Sequence, residues 1–293
     1  MAIPPPTPVC IIPAALAEAR IKYFMDNKKP ILDGMIAYKP EIEKITYSPS
    51  VFLQLLGILM KTPGKYSGVR VYFGSYLWSD TDPGIKYIPA GMEENLVLLF
   101  VPTIADGSTG NIVHKDDTTS IYAISFNQLV LLPDPSNTIP AKDTASNWIR
   151  HFQSKIPSLN MKAIRTTGNA AFDETRSNWY KIENFIDTDP NCIGLATFIQ
   201  TLQKAGNLVC IDTHPACYTP KDSFDEAKLT LVFVLKSSNK LDSTNYFFGT
   251  NNTNFDINGF VKDPFDDDPG ADTGLPCPPD DGCINGGSLL PQP

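Results

Sequence analysis

Apolar and polar positions follow two different periods along this chain, and the switches between them mark the elements. In residues 14–26 the apolar Leu16, Ile21 and Phe24 recur at helical spacing, which predicts an amphipathic helix. Lys44-Ile45-Thr46-Tyr47 then predicts a strand. Ser48-Pro49-Ser50 supplies cap and first-turn residues for a helix carrying Val51, Phe52, Leu55, Leu56 and Leu59. The alternating run 69–73 and the apolar run 96–101 read as strands, separated by a polar loop.

A second series of signals has the same order. Residues 144–153 place Trp148, Ile149 and Phe152 at helical spacing, and a strand is expected near 183–186. Asp189-Pro190-Asn191 opens a helix with Ile193, Leu195, Phe198, Ile199 and Leu202, and strands follow at 208–211 and 229–234. Ala19-Arg20-Ile21-Lys22-Tyr23-Phe24 matches Asn147-Trp148-Ile149-Arg150-His151-Phe152 in both apolar anchors. Leu96-Val97-Leu98-Leu99-Phe100 matches Leu229-Thr230-Leu231-Val232-Phe233. Shared anchors in a shared order predict a tandem duplication.

The expected fold is α+β, with two related subdomains, each a small, mainly antiparallel sheet covered by helices on one face. The first repeat spans 1–126, a Pro-rich linker 127–143, the second repeat 144–262, and a Pro/Gly/Asp-rich flexible tail 263–293. That tail holds seven prolines, five glycines and seven aspartates with no Lys or Arg, too little apolar surface to repay ordering, so it should be mobile or docked.

Charge alters the picture only at this end. The net charge of −8 lies almost entirely in the seven tail aspartates, which leaves the body near neutral and without the basic stripe of a nucleic-acid binder. No apolar run approaches the roughly 20 residues of a membrane-spanning helix. The proline-rich start Met1-Ala2-Ile3-Pro4-Pro5-Pro6 does not read as a signal peptide, so an intracellular, cytoplasmic chain is expected, with neither nucleic acid nor membrane as partner. Six cysteines at irregular spacing do not make a disulfide scaffold, although Cys277 and Cys283 are close enough to pair in an oxidising compartment.

Candidate chemistry is sparse. Cys210, His214 and Cys217 supply three zinc-type ligands from one segment, without an evident fourth, so no cofactor is expected beyond this weak zinc candidate. Asn254-Phe255-Asp256-Ile257-Asn258-Gly259 imitates half a calcium loop but lacks its bidentate Glu. Tyr76, Trp78, Asp80, Asp82 and Tyr87 bracket a loop between two strands and read as a recognition surface. The expected function is therefore a non-enzymatic interaction module that presents loops 74–95 and 212–227 to a protein or small ligand. The alternative is a thiol- or metal-dependent activity centred on Cys210, His214 and Cys217.

Gly68-Val69-Arg70-Val71-Tyr72-Phe73-Gly74, the strand ending Phe100-Val101-Pro102-Thr103 and the late Cys277-Pro-Pro segment together resemble a set of uncharacterised bacterial proteins. Such proteins carry a Gly-x-Arg-x-Tyr-x-Gly strand and a C-terminal Cys-Pro-Pro. The resemblance covers most of the first repeat and the tail, departs in the second repeat at Cys210 and Asp212, and implies no activity.

Overall fold

A computed structural model describes residues 12–35, 43–62, 64–76, 95–106, 113–125, 128–132, 141–154, 177–187, 194–206, 208–219, 229–237, 246–249 and 275–276. The elements are α1 (Ala14–Asn27), α2 (Lys29–Met35), β1 (Ile45–Tyr47), α3 (Pro49–Lys61), β2 (Gly68–Ser75), β3 (Leu96–Asp106), β4 (Val113–Asp116), β5 (Ile121–Ser125) and β6 (Gln128–Leu132). They continue with α4 (Ala141–Gln153), β7 (Ser177–Lys181), α5 (Leu195–Lys204), β8 (Leu208–Cys217), β9 (Leu229–Ser237), β10 (Tyr246–Gly249) and β11 (Leu275–Pro276). The mixed α+β class follows, and every strand pairing among the described residues is antiparallel. No helix among the described residues is long and apolar enough to cross a membrane.

Nearby polar side chains account for the starts of α3 and α5. Ser48 caps α3, its Oγ accepting from the Val51 amide at 3.4 Å, with Pro49 in the first turn. Residues 189–191, expected to open the later helix, lie outside the described residues. Asp187 serves the start of α5 instead, accepting from the Gly194 amide at 2.6 Å and the Thr197 hydroxyl at 2.8 Å. The strand expected near 183–186 lies earlier, at β7. Ile182 makes a further sheet bond to the Ser67 carbonyl, and the chain then tightens into a 3-10 turn over Ile182–Asn184.

The sheets do not follow the expected division. One has the order β1-β8-β9-β10; the other runs β11-β7-β2-β3-β5-β6, with β4 also on β3. Thus β1 leaves the first half of the chain to pair with β8, and β7 leaves the second half to pair with β2. The helices cross over in the same way, α1 packing on β8 and α4 on β2. Two separate subdomains, each with its own sheet, are therefore not what forms. The segment expected as a linker also contributes β6, in register with β5.

Alternation along the strands divides each sheet into two faces. Inner residues of both sheets (Val69, Val71, Phe73, Leu98 and Phe100; Ile211, Leu229, Leu231, Phe233 and Leu235) share one core with Phe52, Leu55, Leu56, Leu59, Phe198, Ile199 and Leu202 of α3 and α5. The outer faces are covered separately. Trp148 and Ile149 of α4 lie against Tyr72, Val97, Leu99 and Ile121, while Ala17 of α1 lies against Ala216, Val232 and Val234. Each sheet therefore has helices on both faces rather than one, because α3 and α5 are shared between the two sheets.

Candidate functional site

The alternate residues of Gly68-x-Arg70-x-Tyr72-x-Gly74 form the outer face of β2, and each has a physical role. A Cβ at Gly68 would lie 2.6 Å from Trp179 Nε1 and collide with the Tyr180 carbonyl, so only glycine lets the indole cross the strand. At Gly74 a Cβ would stand 3.1 Å from Val97 Cγ1 and 3.5 Å from Trp148 Cβ of α4. Between them Arg70, buried, forms an ion pair with Asp116 and donates to the His114 carbonyl at 2.9 Å. Tyr72 donates its hydroxyl to the other Asp116 oxygen at 2.5 Å.

This network continues toward the surface. Ser67 Oγ is 2.8 Å from His114 Nδ1, the imidazole lies against Trp179 with ring centroids 4.2 Å apart, and Trp179 Nε1 donates to Thr103 Oγ1 at 2.9 Å. Alongside, Asp117 accepts from Lys65 at 2.9 Å and Thr119 Oγ1 at 2.5 Å. Burial would raise the Asp117 pKa, but the bonds from Thr119 and Lys65 outweigh it and hold the group at about 2. A hydroxyl and an imidazole in contact are the parts of a nucleophile and base. Asp116, on the same face of β4 as His114, is committed to Arg70 and Tyr72. The signal for this cluster in sequence was the Gly-x-Arg-x-Tyr-x-Gly alternation. Its partners on β3, β4 and β7 are distant in sequence and carried none.

The second polar cluster lies on the outer face of β8. Asp212 is fully buried and receives Lys44 and Lys236, each at 2.8 Å, and Thr46 Oγ1 at 2.7 Å. Burial opposes ionisation, yet the hydrogen bonds from Lys236, Lys44 and Thr46 hold the carboxyl down at about 2. Cys210 and His214 share this face with Asp212. Burial and the neighbouring Asp212 raise the Cys210 pKa, opposite to what a reactive thiolate needs. Burial lowers that of His214, whose Nδ1 is 3.1 Å from the Glu43 carbonyl.

The expected metal set is not assembled. Cys217 is three residues beyond His214, an odd step that turns its side chain into the core between the sheets, on the face opposite Cys210 and His214. Among the described residues no group of three or more His, Cys, Asp or Glu is placed to hold a metal ion. Tyr76 is likewise not a surface contact: it is 4% exposed and packs edge-on against Trp148 at 5.0 Å. Trp78, Asp80, Asp82 and Tyr87 lie outside the described residues, as do the calcium-like segment 254–259 and Cys277 and Cys283. Comparison with protein-family models, curated proteins and solved structures gave no match.

Proposed function

We propose that the chain is a tandem duplication whose copies exchange their first helix and first strand, and that it acts as a binding protein. Strand register supports the duplication. Matching Leu96–Phe100 to 229–233 by sequence makes Arg70 the counterpart of Asp212 through the β2–β3 and β8–β9 pairings. The β7–β2 and β1–β8 pairings then make Trp179 the counterpart of Thr46, and Tyr180 that of Tyr47. Tyr47 and Tyr180, Phe52 and Phe185, and Phe100 and Phe233 are all separated by the same interval along the chain. Tyr47 meets Phe52 at 6.1 Å and Tyr180 meets Phe185 at 5.8 Å. Arg20 lies 4.7 Å over Tyr218, as its sequence match Trp148 lies 5.0 Å from Tyr76.

The binding reading rests on one consequence of that register. Ser75–Leu96 and Cys217–Leu229 are corresponding last pairs of corresponding hairpins, so the connections 77–94 and 220–228 leave equivalent ends of equivalent rigid strands. Connections that differ from each other in length and sequence on a duplicated frame suit recognition of a protein or small ligand. In the first of them Trp78 and Tyr87 are the rigid, amphipathic contact residues, and Asp80 and Asp82 the polar ones.

Native mass spectrometry of protein isolated from its own cells tests this. A retained ligand or partner is expected, lost in Trp78→Ala/Tyr87→Ala while the melting temperature stays within about 2 °C, as for surface changes. Retention of the same mass by the double variant would overturn the reading. A zinc-sized mass released on unfolding and absent from His214→Ala/Cys217→Ala would favour the thiol or metal alternative.

A further inference from the structure

Two rings meet over the outer face of β2 and β3, at one end of a chain of hydrogen bonds. Trp179 reaches in from β7 across Gly68, where no Cβ stands in its way. His114 reaches in from the other side. It pairs with Ala105, small enough for the imidazole to cross β3 and meet Ser67. Ser67 and His114 are each half-buried and Ala105 is exposed, so this end of the face is within reach of solvent.

The donors fix the order of the chain. An indole N–H only donates, so Trp179 Nε1 occupies a lone pair of Thr103 Oγ1 at 2.9 Å and leaves the Thr103 proton for another acceptor. Ser67 Oγ lies 3.2 Å from that hydroxyl. The Ser67 proton then has two acceptors, the Thr103 carbonyl at 3.2 Å and His114 Nδ1 at 2.8 Å. The carbonyl already takes the Ser67 amide at 2.8 Å, and the imidazole nitrogen is the nearer acceptor and the stronger kind of base. The protons therefore run from Trp179 to Thr103 to Ser67 to His114, each bond polarising the next. Ser67 Oγ accepts one hydrogen bond and gives its own proton to a base, the arrangement of a nucleophilic serine. The imidazole is oriented by packing and by its backbone: Trp179 lies on its face with centroids 4.2 Å apart, and Arg70 binds its carbonyl at 2.9 Å.

We propose that Ser67 is a nucleophile that takes an acyl group from an ester or thioester, with His114 as its base. Ser67 Oγ attacks the carbonyl carbon and its proton passes to His114 Nδ1. The bond from that carbon to the leaving oxygen or sulfur breaks, and the leaving group takes the proton from His114. Water, deprotonated by the same imidazole, then releases the acid and restores the Ser67 hydroxyl. Thr103 and Trp179 are positioning residues, since they act only through Ser67 Oγ.

Labelling of the full chain with an alkyl fluorophosphonate, which bonds through phosphorus to an activated serine as fluoride leaves, tests this by intact mass and peptide mapping. A single adduct is expected, on Ser67, with p-nitrophenyl acetate hydrolysed by the same chain and neither reaction retained by Ser67→Ala. His114→Ala should label about a hundredfold more slowly, the scale of a general base, and free imidazole should restore part of the rate, which a merely structural role would not allow. An unlabelled chain, an adduct on another residue, or a His114→Ala variant that labels as fast as the parent overturns the proposal. The adduct is mapped on the parent chain, so that result does not depend on whether the variants fold. None of these measurements involves residues 77–94 or 220–228, so the binding reading stands or falls separately.

Discussion

Asp212 sits at a position where a strand residue on a half-covered face would ordinarily be apolar, and its three donors come from two strands: Lys44 and Thr46 at β1 and Lys236 on β9. The lysines are 43% and 40% exposed, so water screens them and the pairs are worth less than their geometry suggests. Asp212→Asn keeps the shape and removes the charge, and should cost about 1–2 kcal/mol, the range for hydrogen bonds to a charged group after that screening. The pH dependence has a definite sign. A carboxyl held at about 2 when folded and near 4 when unfolded contributes stability in full above about pH 5 and loses it as pH falls toward 2. Denaturant titrations at pH 7 and pH 3 are expected to show Asp212→Asn less stable than the parent at pH 7 and closer to it at pH 3. A constant difference would show that the charge is not what matters.

Helix α4 shows how an element depends on a partner remote in sequence. Its polar face gives little intrinsic stability, and it is held by Trp148 and Ile149 against β2, β3 and β5. Trp148 is fully buried, edge-on to Tyr76 and close to the position where Gly74 leaves room. Trp148→Ala should therefore destabilise by about 3–5 kcal/mol, the range for large-to-small core changes. Trp148→Phe, which keeps an aromatic edge, should lose roughly half as much. Urea unfolding followed by circular dichroism measures both, and a loss below about 1 kcal/mol would mean that α4 is not docked as described. Several elements at this scale were legible in sequence: α1, α3, α4, β2, β3 and β9 fall close to where period and caps place them, whereas β8, expected only over 208–211, runs on to Cys217 and takes up the first six residues of the loop expected at 212–227. β7 was displaced because Ile182, Phe185 and Ile186, apolar enough to suggest a strand, are buried by a 3-10 turn instead. β6 was hidden by the prolines that follow it.

Crossed strand pairings join the two halves of the chain. Because β1 and α1 complete the sheet of the second half, and β7 and α4 that of the first, neither half keeps its core when the other opens. α3 and α5 add to this by sharing one apolar cluster with both inner faces. A single cooperative unfolding transition is expected, with calorimetric and van't Hoff enthalpies in agreement, despite a sequence that reads as two repeats. Two resolved transitions, each assignable to one half, would contradict it.

The sequence by itself determined the period of the longer elements α1, α3, α4, β2, β3 and β9, the helix start at Ser48-Pro49 and the mixed class, because these depend on residues near one another along the chain. It also held the outer face of β2 as an alternating motif. Tertiary structure alone decided which sheet each strand joins, which face each cysteine takes and which residues complete the Arg70 and Asp212 clusters. These choices are made by burial and pairing between residues far apart in sequence: a strand of three or five residues carries too little local information to name its neighbour, and a single-residue step in a strand reverses the direction of a side chain. Cys217 was read with His214 on proximity along the chain, and the odd step between them turned it into the core.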